Sequence, residues 1–154
     1  YTHPQRTPFM RFRAMWLHEG IDAEYMKQVA GYITGELDFA SFCKKQSAEE
    51  NTVRRILEIV ISEENDYISF RIRGTAFLHN MIRIIIGTTI EMYRDKRQPE
   101  EILNILEMKD RDSSGFTAPP YGLYLMNVKY NPSLESYPSA FDEPGIPGNF
   151  SFNH

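Results

Sequence analysis

The residue best placed to do chemistry is Arg83. It stands in the string Met81-Ile82-Arg83-Ile84-Ile85-Ile86, within a segment, Phe77 to Arg94, that reads as a long helix. Ile82, Ile84, Ile85 and Ile86 surround the helix axis, so the helix is expected to be buried on most sides. A guanidinium buried without a partner is costly, because it loses its hydration and cannot shed its proton. It requires a carboxylate or a phosphate. Glu91 is two turns away on the same helix, too far for a local pair, and His79 at i−4 is no counter-charge. Two accounts fit. In one, Arg83 pairs with an acid elsewhere in the chain or snorkels to an edge. In the other, it lies on the floor of a cleft and holds an acid that does chemistry. The chain offers no obvious acid for that second role, since its carboxylates cluster in turns, helix caps and the C-terminal segment.

Other chemistries find little support. His3, His18, His79 and His154 are scattered, without metal-ligand spacing. Cys43 is the single cysteine, which excludes an internal disulfide and a cysteine-rich zinc site. Lys44 and Lys45 beside it could lower its thiol pKa, but a small, partly buried residue is the plainer role. Ser41-Phe42-Cys43 is no nucleophile elbow, and no glycine-rich phosphate loop exists. The net charge of −4 argues against a generic polyanion binder. The apolar run Ile84–Ile90 is too short to span a membrane. No secretory leader pattern opens the chain. It begins with Tyr1 rather than Met, which suggests a processed product or an excerpt of something longer.

The elements that must position Arg83 can be read from periodicity. Asp22 is expected to cap a helix over Ala23 to Thr34, ended by Gly35, with Met26, Val29, Ala30 and Ile33 as its apolar stripe. Asp38 should open a short helix or turn, Phe39 to Lys45. A strand is expected from Val53 to Ser62, with Val53, Leu57, Ile59 and Ile61 on one face. After a turn at Glu63-Glu64-Asn65-Asp66, a second strand should run from Tyr67 to Arg73. There Ile68, Phe70 and Ile72 face one way, and Tyr67, Ser69, Arg71 and Arg73 the other. Arg71 and Arg73 are either a solvated sheet face or a phosphate rail. Gly74 breaks the strand before the long helix. Pro99 starts a further helix to about Met108. A polar loop then leads through Ala118-Pro119-Pro120 to a last strand, Gly122 to Lys129. The fold class is α+β, an antiparallel β-sheet with helices packed on it.

The 154 residues hold one domain, residues 1–130, followed by a tail at 131–154. Hydrophobic residues make up 42% and aromatics 13%, which excludes disorder of the whole chain. The tail has no Lys or Arg, four prolines, and the acids Glu135, Asp142 and Glu143. It reads as a flexible linker, or else its aromatics pack on a partner. The first twenty residues are the opposite in charge, with Arg6, Arg11 and Arg13 against Glu19 alone.

Three strings resemble one family. They are Asp38-Phe39-Ala40-Ser41-Phe42-Cys43-Lys44-Lys45 with Asn51-Thr52-Val53-Arg54; Phe70-Arg71-Ile72-Arg73-Gly74 through Phe77-Leu78-His79-Asn80-Met81-Ile82-Arg83 to Thr88; and Lys109-Asp110-Arg111 with Thr117-Ala118-Pro119-Pro120 and Gly122-Leu123-Tyr124-Leu125. In this order they are similar to the tRNA pseudouridine synthase A (TruA) family, over about Tyr1 to Lys129. The match corresponds to the C-terminal half of a family member. The family's nucleophilic aspartate sits in an Arg-Thr-Asp motif of the other half, and no Arg-Thr-Asp occurs here. Tyr1 is the residue nearest to the family's active-site tyrosine, without an assignment to that role.

The resemblance implies isomerisation of uridine to pseudouridine in the anticodon arm of tRNA, at positions thirty-eight to forty, with no cofactor and no metal. The target base has to be flipped out of its stack. It implies that Arg83 pairs with the aspartate of the missing N-terminal half, and that this chain alone is inactive. It implies RNA contact by Phe42, Cys43, Lys44, Lys45 and Gln46, and more weakly by Arg54, Arg71 and Arg73. Phe77, Leu78 and His79 would shape the cleft. A homodimer in the cytoplasm, without membrane attachment, is the expected setting. The alternative is a non-catalytic RNA-binding or assembly module of the same fold. Three positions depart from the family pattern: Leu37 where His is usual, Phe116 where Pro is common, and Tyr121 where His is common.

Overall fold

Asp22 begins the first regular element. Its carboxylate accepts a hydrogen bond from the Glu24 N–H at 2.8 Å and so caps α1, Ala23–Tyr32. The computed structural model describes residues 1–2, 5–44 and 51–129. Within it, contacts define a compact unit, Tyr1–Leu123, and a second unit from Tyr124, of which residues 124–129 are described. The expectations for Lys45, Gln46 and the 131–154 tail fall outside the described residues.

The α1 stripe is as the periodicity implies: Met26, Val29, Ala30 and Ile33 are buried. The helix stops two residues short of Thr34, and Gly35, at φ +116, turns the chain into an unanticipated strand, β1, Gly35–Asp38. β1 has a single apolar side chain, Leu37, and exists through its ladder to the next strand, Gly35 opposite Ile56 and Asp38 opposite Val53. The expected helix or turn over Phe39–Lys45 is a single 3-10 turn, Ala40–Phe42, within its described part.

The hairpin forms, but with a tighter turn. β2 is Val53–Glu64 and β3 is Tyr67–Gly74, with Glu64 opposite Tyr67. The loop is therefore Asn65-Asp66, and Asn65 takes the left-handed conformation that such two-residue connections require. The three strands form one antiparallel sheet in the order β1-β2-β3. A bulge between Ile56 and Glu58 overturns the expected facing of β2. One extra residue switches sides, so Ile56, Ile59 and Ile61 point inward while Val53 and Leu57 are exposed. β3 alternates as expected, with Ile68, Phe70 and Ile72 half-buried and Tyr67, Ser69, Arg71 and Arg73 outward.

The long helix, α2, is Met81–Arg94, four residues shorter than expected. Asn80 holds φ +61, which an α-helix cannot continue through, so Phe77–Asn80 form the loop before it. Burial is also narrower than expected. Met81, Ile84, Ile85 and Met92 face the core, whereas Ile82, Arg83 and Ile86 are half-buried. After α2, a 3-10 turn at Pro99–Glu101 runs into α3, Ile102–Met108. The core gathers Val29 of α1, Ile33 just after it, Phe39 and Phe42, Ile56 of β2, and the apolar faces of α2 and α3. The last expected strand, Gly122–Lys129, is absent: the segment pairs with no strand among the described residues, and an apolar run without a ladder is not a strand.

Candidate active site around Arg83

Arg83 lies in the first turn of α2, at the end where the helix dipole is positive. A cation is disfavoured there, so helix stability does not account for it. Two bonds fix the guanidinium. Nε donates to the Ala118 carbonyl at 2.7 Å, and Nη1 donates to Asn80 Oδ1 at 2.8 Å. The Ala118 N–H returns a bond to the Arg83 carbonyl at 3.0 Å. No carboxylate of the described residues forms an ion pair with Arg83.

Ala118 is held in turn by a strap along α2. The Gly115 N–H donates to Thr88 Oγ1 at 2.9 Å, while that hydroxyl donates to the Ile84 carbonyl at 2.8 Å. The Phe116 N–H donates to Glu91 Oε2 at 3.0 Å. Glu91 thus serves the strap. Gly87 lets the backbones meet: a Cβ there would lie 1.9 Å from the Phe116 carbonyl oxygen. Arg111 braces the start of the strap through Ser114 Oγ at 2.8 Å and Thr117 Oγ1 at 3.2 Å.

The first and third sequence motifs meet beside this strap. Lys109 Nζ lies 2.8 Å from Asp38 Oδ2, and the Asp38 carboxylate also accepts from the Thr52 hydroxyl and the Ala40 N–H. Ser114 Oγ bonds the Ser41 carbonyl at 2.8 Å. The Lys109 ammonium, then the Thr52 hydroxyl, hold the Asp38 carboxyl below its ordinary range against the effect of burial. A depressed folded pKa stabilises above the unfolded pKa, about 4, and that contribution is lost as pH falls through the folded value. Asp38→Asn should therefore cost about 1 kcal/mol at neutral pH, since Lys109 is largely exposed and solvent screens the pair. The gap from the unsubstituted protein should close toward pH 3 in urea melts. A gap independent of pH would contradict this role.

The other candidates are spread more widely. Phe42 is fully buried and Cys43 nearly so, so the side chains of this expected RNA-contact pair belong to the core; of the three residues 42–44 only Lys44 is exposed. Their position beside two lysines suggested a surface loop, but Phe42 packs on Phe39, ring centroids 6.2 Å apart, in the core cluster that also takes Cys43. Arg54 is half-buried, with Nη1 donating to the Asn51 and Val53 carbonyls. Arg73 pairs with Glu58 at 3.6 Å, so the outer hairpin face is mixed in charge; Arg71 and Arg55 are exposed there. Leu78 is buried, while Phe77, with its ring against Gly74, and His79 are exposed. Tyr1 is buried near the hairpin turn, its ring 6.0 Å from that of Tyr67. Sequence reasoning missed Asn80, the Ala118 carbonyl and the Asp38–Lys109 pair. Only Asn80 left a trace, as a residue type that tolerates positive φ at a helix start. No group of His, Cys, Asp and Glu suited to a metal occurs among the described residues, and no helix among them is long and apolar enough to cross a membrane.

A family profile described as tRNA pseudouridine synthase matches residues 29–131, which include Arg83 and the whole strap. The chain belongs to the tRNA pseudouridine synthase family. Among its relatives, tRNA pseudouridine synthase A of an Exiguobacterium species is 44% identical over 123 residues, 80% of this chain and 50% of the relative. Proteins of the same name from Burkholderia mallei and Burkholderia pseudomallei are 35% identical over 130 residues, 84% of this chain and 48% of theirs. The chain thus spans about half the length of these relatives.

Proposed function

We propose that this chain is the arginine-bearing half of a tRNA pseudouridine synthase that converts uridine to pseudouridine at positions thirty-eight to forty of the anticodon arm. One observation carries the reading: Arg83 is oriented by two hydrogen bonds at a helix N-terminus and meets no carboxylate among the described residues. Its counter-ion is the nucleophilic aspartate of the other half of the enzyme. An opposite charge beside it favours the ionised carboxylate, and the fixed guanidinium keeps that carboxylate aimed at the flipped base. The positive end of α2 adds to the same field. Lys44, Lys45, Gln46, Arg71 and Arg73 supply RNA contacts, and the buried Phe42 and Cys43 anchor the chain next to Lys44. No cofactor enters the reaction, and the assembled enzyme is a cytoplasmic homodimer. Incubation of the complete polypeptide with unmodified tRNA, followed by chemical mapping, should locate pseudouridine at those positions. Product elsewhere, or none, overturns the reading.

A further inference from the structure

We propose that the loop 5–16 is a binding site for single-stranded RNA, in which bases stack on Phe9 and on the Phe12–Tyr121 pair while Arg6 and Arg11 take phosphates. The proposal rests on the reading of the chain as part of a tRNA-modifying enzyme, and names a contact surface that the Arg83 site does not include.

The loop is displayed and internally braced. Its ends are tied by the bond from the Leu17 N–H to the Tyr1 carbonyl at 2.8 Å. A 3-10 turn at Pro8–Met10 and bonds from the Arg13 and Ala14 N–H groups to the Met10 carbonyl brace the interior. Phe9 is 84% exposed and Phe12 59% exposed. Phe12 also holds φ +66, a conformation costly for an aromatic residue, which persists only where surrounding structure imposes it. The loop therefore maintains strain in order to hold an aromatic ring outward.

Chemistry and charge select the occupant. Arg11 lies over the Phe12 ring at 4.8 Å, and Arg6 over the Trp16 ring at 5.8 Å. Neither arginine forms an ion pair with a described carboxylate, and the first acid in the chain is Glu19. Guanidinium groups alternating with exposed rings offer both partners that an unpaired nucleotide needs, a cation for its phosphate and a face for its base. A duplex hides its base faces and would use the arginines alone.

The loop is also coupled to the Arg83 site. The Phe12 ring meets Tyr121 edge-on at 4.9 Å, and a Cβ at Gly122 would lie 3.1 Å from Ala14 Cα. Tyr121 follows Ala118, the acceptor of Arg83, by three residues, at most about 11 Å of chain. A nucleotide on this loop would thus lie close to the Arg83 site.

The test is fluorescence anisotropy of labelled RNA with the full 154-residue chain, comparing oligouridylate with a blunt RNA duplex of equal phosphate number. Single strands should bind at least about tenfold more tightly, and F9A and F12A should each weaken them about tenfold. F9Y should restore binding, and R6Q and R11Q should each reduce the salt-dependence slope by about 0.7. Phe9 is too exposed for its loss to unfold the chain. Equal affinity for duplex, or unchanged affinity in F9A and F12A, overturns the proposal. So does a change in molecular mass by light scattering without a change in RNA affinity, which would make the loop a protein contact. In the complete enzyme, F9A should raise KM for tRNA about tenfold at unchanged kcat. Absence of pseudouridine from the unsubstituted enzyme would defeat the synthase reading, whereas unchanged KM with activity present would defeat this one.

Discussion

Arg83→Ala should lower kcat of the complete polypeptide by about 10²–10³-fold or more, with KM for tRNA changed only severalfold, in a single-turnover pseudouridine assay. The magnitude is that of removing one preorganised group that stabilises charge in a water-poor site. The split between kcat and KM follows from the proposed role of Arg83, which is to meet the reacting acid and not the body of the RNA. Arg83→Lys should fail almost as badly. Nε and Nη1 are committed to Ala118 and Asn80, which leaves Nη2 uncommitted among the described residues. A lysine has one nitrogen and no fork, so it cannot both hold the strap and present a charge. Folding should survive either change, because the bond from the Ala118 N–H to the Arg83 carbonyl is backbone to backbone. Turnover within about tenfold of the unsubstituted enzyme would mean that Arg83 is a structural residue.

The second large effect is expected at a position without a functional group. In Gly87→Ala the new methyl would stand 1.9 Å from the Phe116 carbonyl oxygen, 2.9 Å from its carbon and 3.2 Å from the Ala118 nitrogen. All three are backbone atoms that cannot swing aside as a side-chain tip can. The strap must lift off α2, at a cost of about 1–3 kcal/mol or more. The melting temperature should fall by roughly 3–10 °C for a chain of this size. Activity should fall further than stability, because the displaced carbonyl lies two residues before the acceptor that holds Arg83. Gly31 is the control. It is exposed on α1 with nothing within 4 Å of its would-be Cβ, so Gly31→Ala should stabilise by about 0.5–1 kcal/mol and leave turnover unchanged. Equal melting temperatures for Gly87→Ala and the unsubstituted protein would show that the strap yields freely.

Much of this arrangement was legible in the sequence, and the illegible parts share a physical cause. The alternation from Tyr67 to Arg73 and the stripe on α1 are local patterns, and both appear in the structure. Arg83 stood out because a permanent charge among isoleucines demands an explanation. β1 could not be read, since Gly35-Glu36-Leu37-Asp38 has no strand pattern and is ordered by the edge of β2. The bulge near Leu57 was equally hidden; one inserted residue reverses a face without altering composition. Asn80 shortened α2 through a backbone angle that the sequence permits but does not dictate. In the site, Arg83 was visible and its holders were not, because one of them is the carbonyl of Ala118, a group that every residue possesses. Phe42 was hidden for the opposite reason. Lysines in the same short motif suggested a surface, and the fold turned its ring into the core, while the burial of Cys43 agrees with its plainer reading as a small, partly buried residue.

The central claim is that Arg83 serves an acid supplied from outside this chain. The most direct test is pseudouridine formation on unmodified tRNA, assayed in parallel with the 154-residue chain and with the complete polypeptide. The account predicts product with the complete polypeptide and none with the chain alone. Turnover by the chain alone would mean that one of its own carboxylates does the chemistry, and would contradict the role assigned to Arg83.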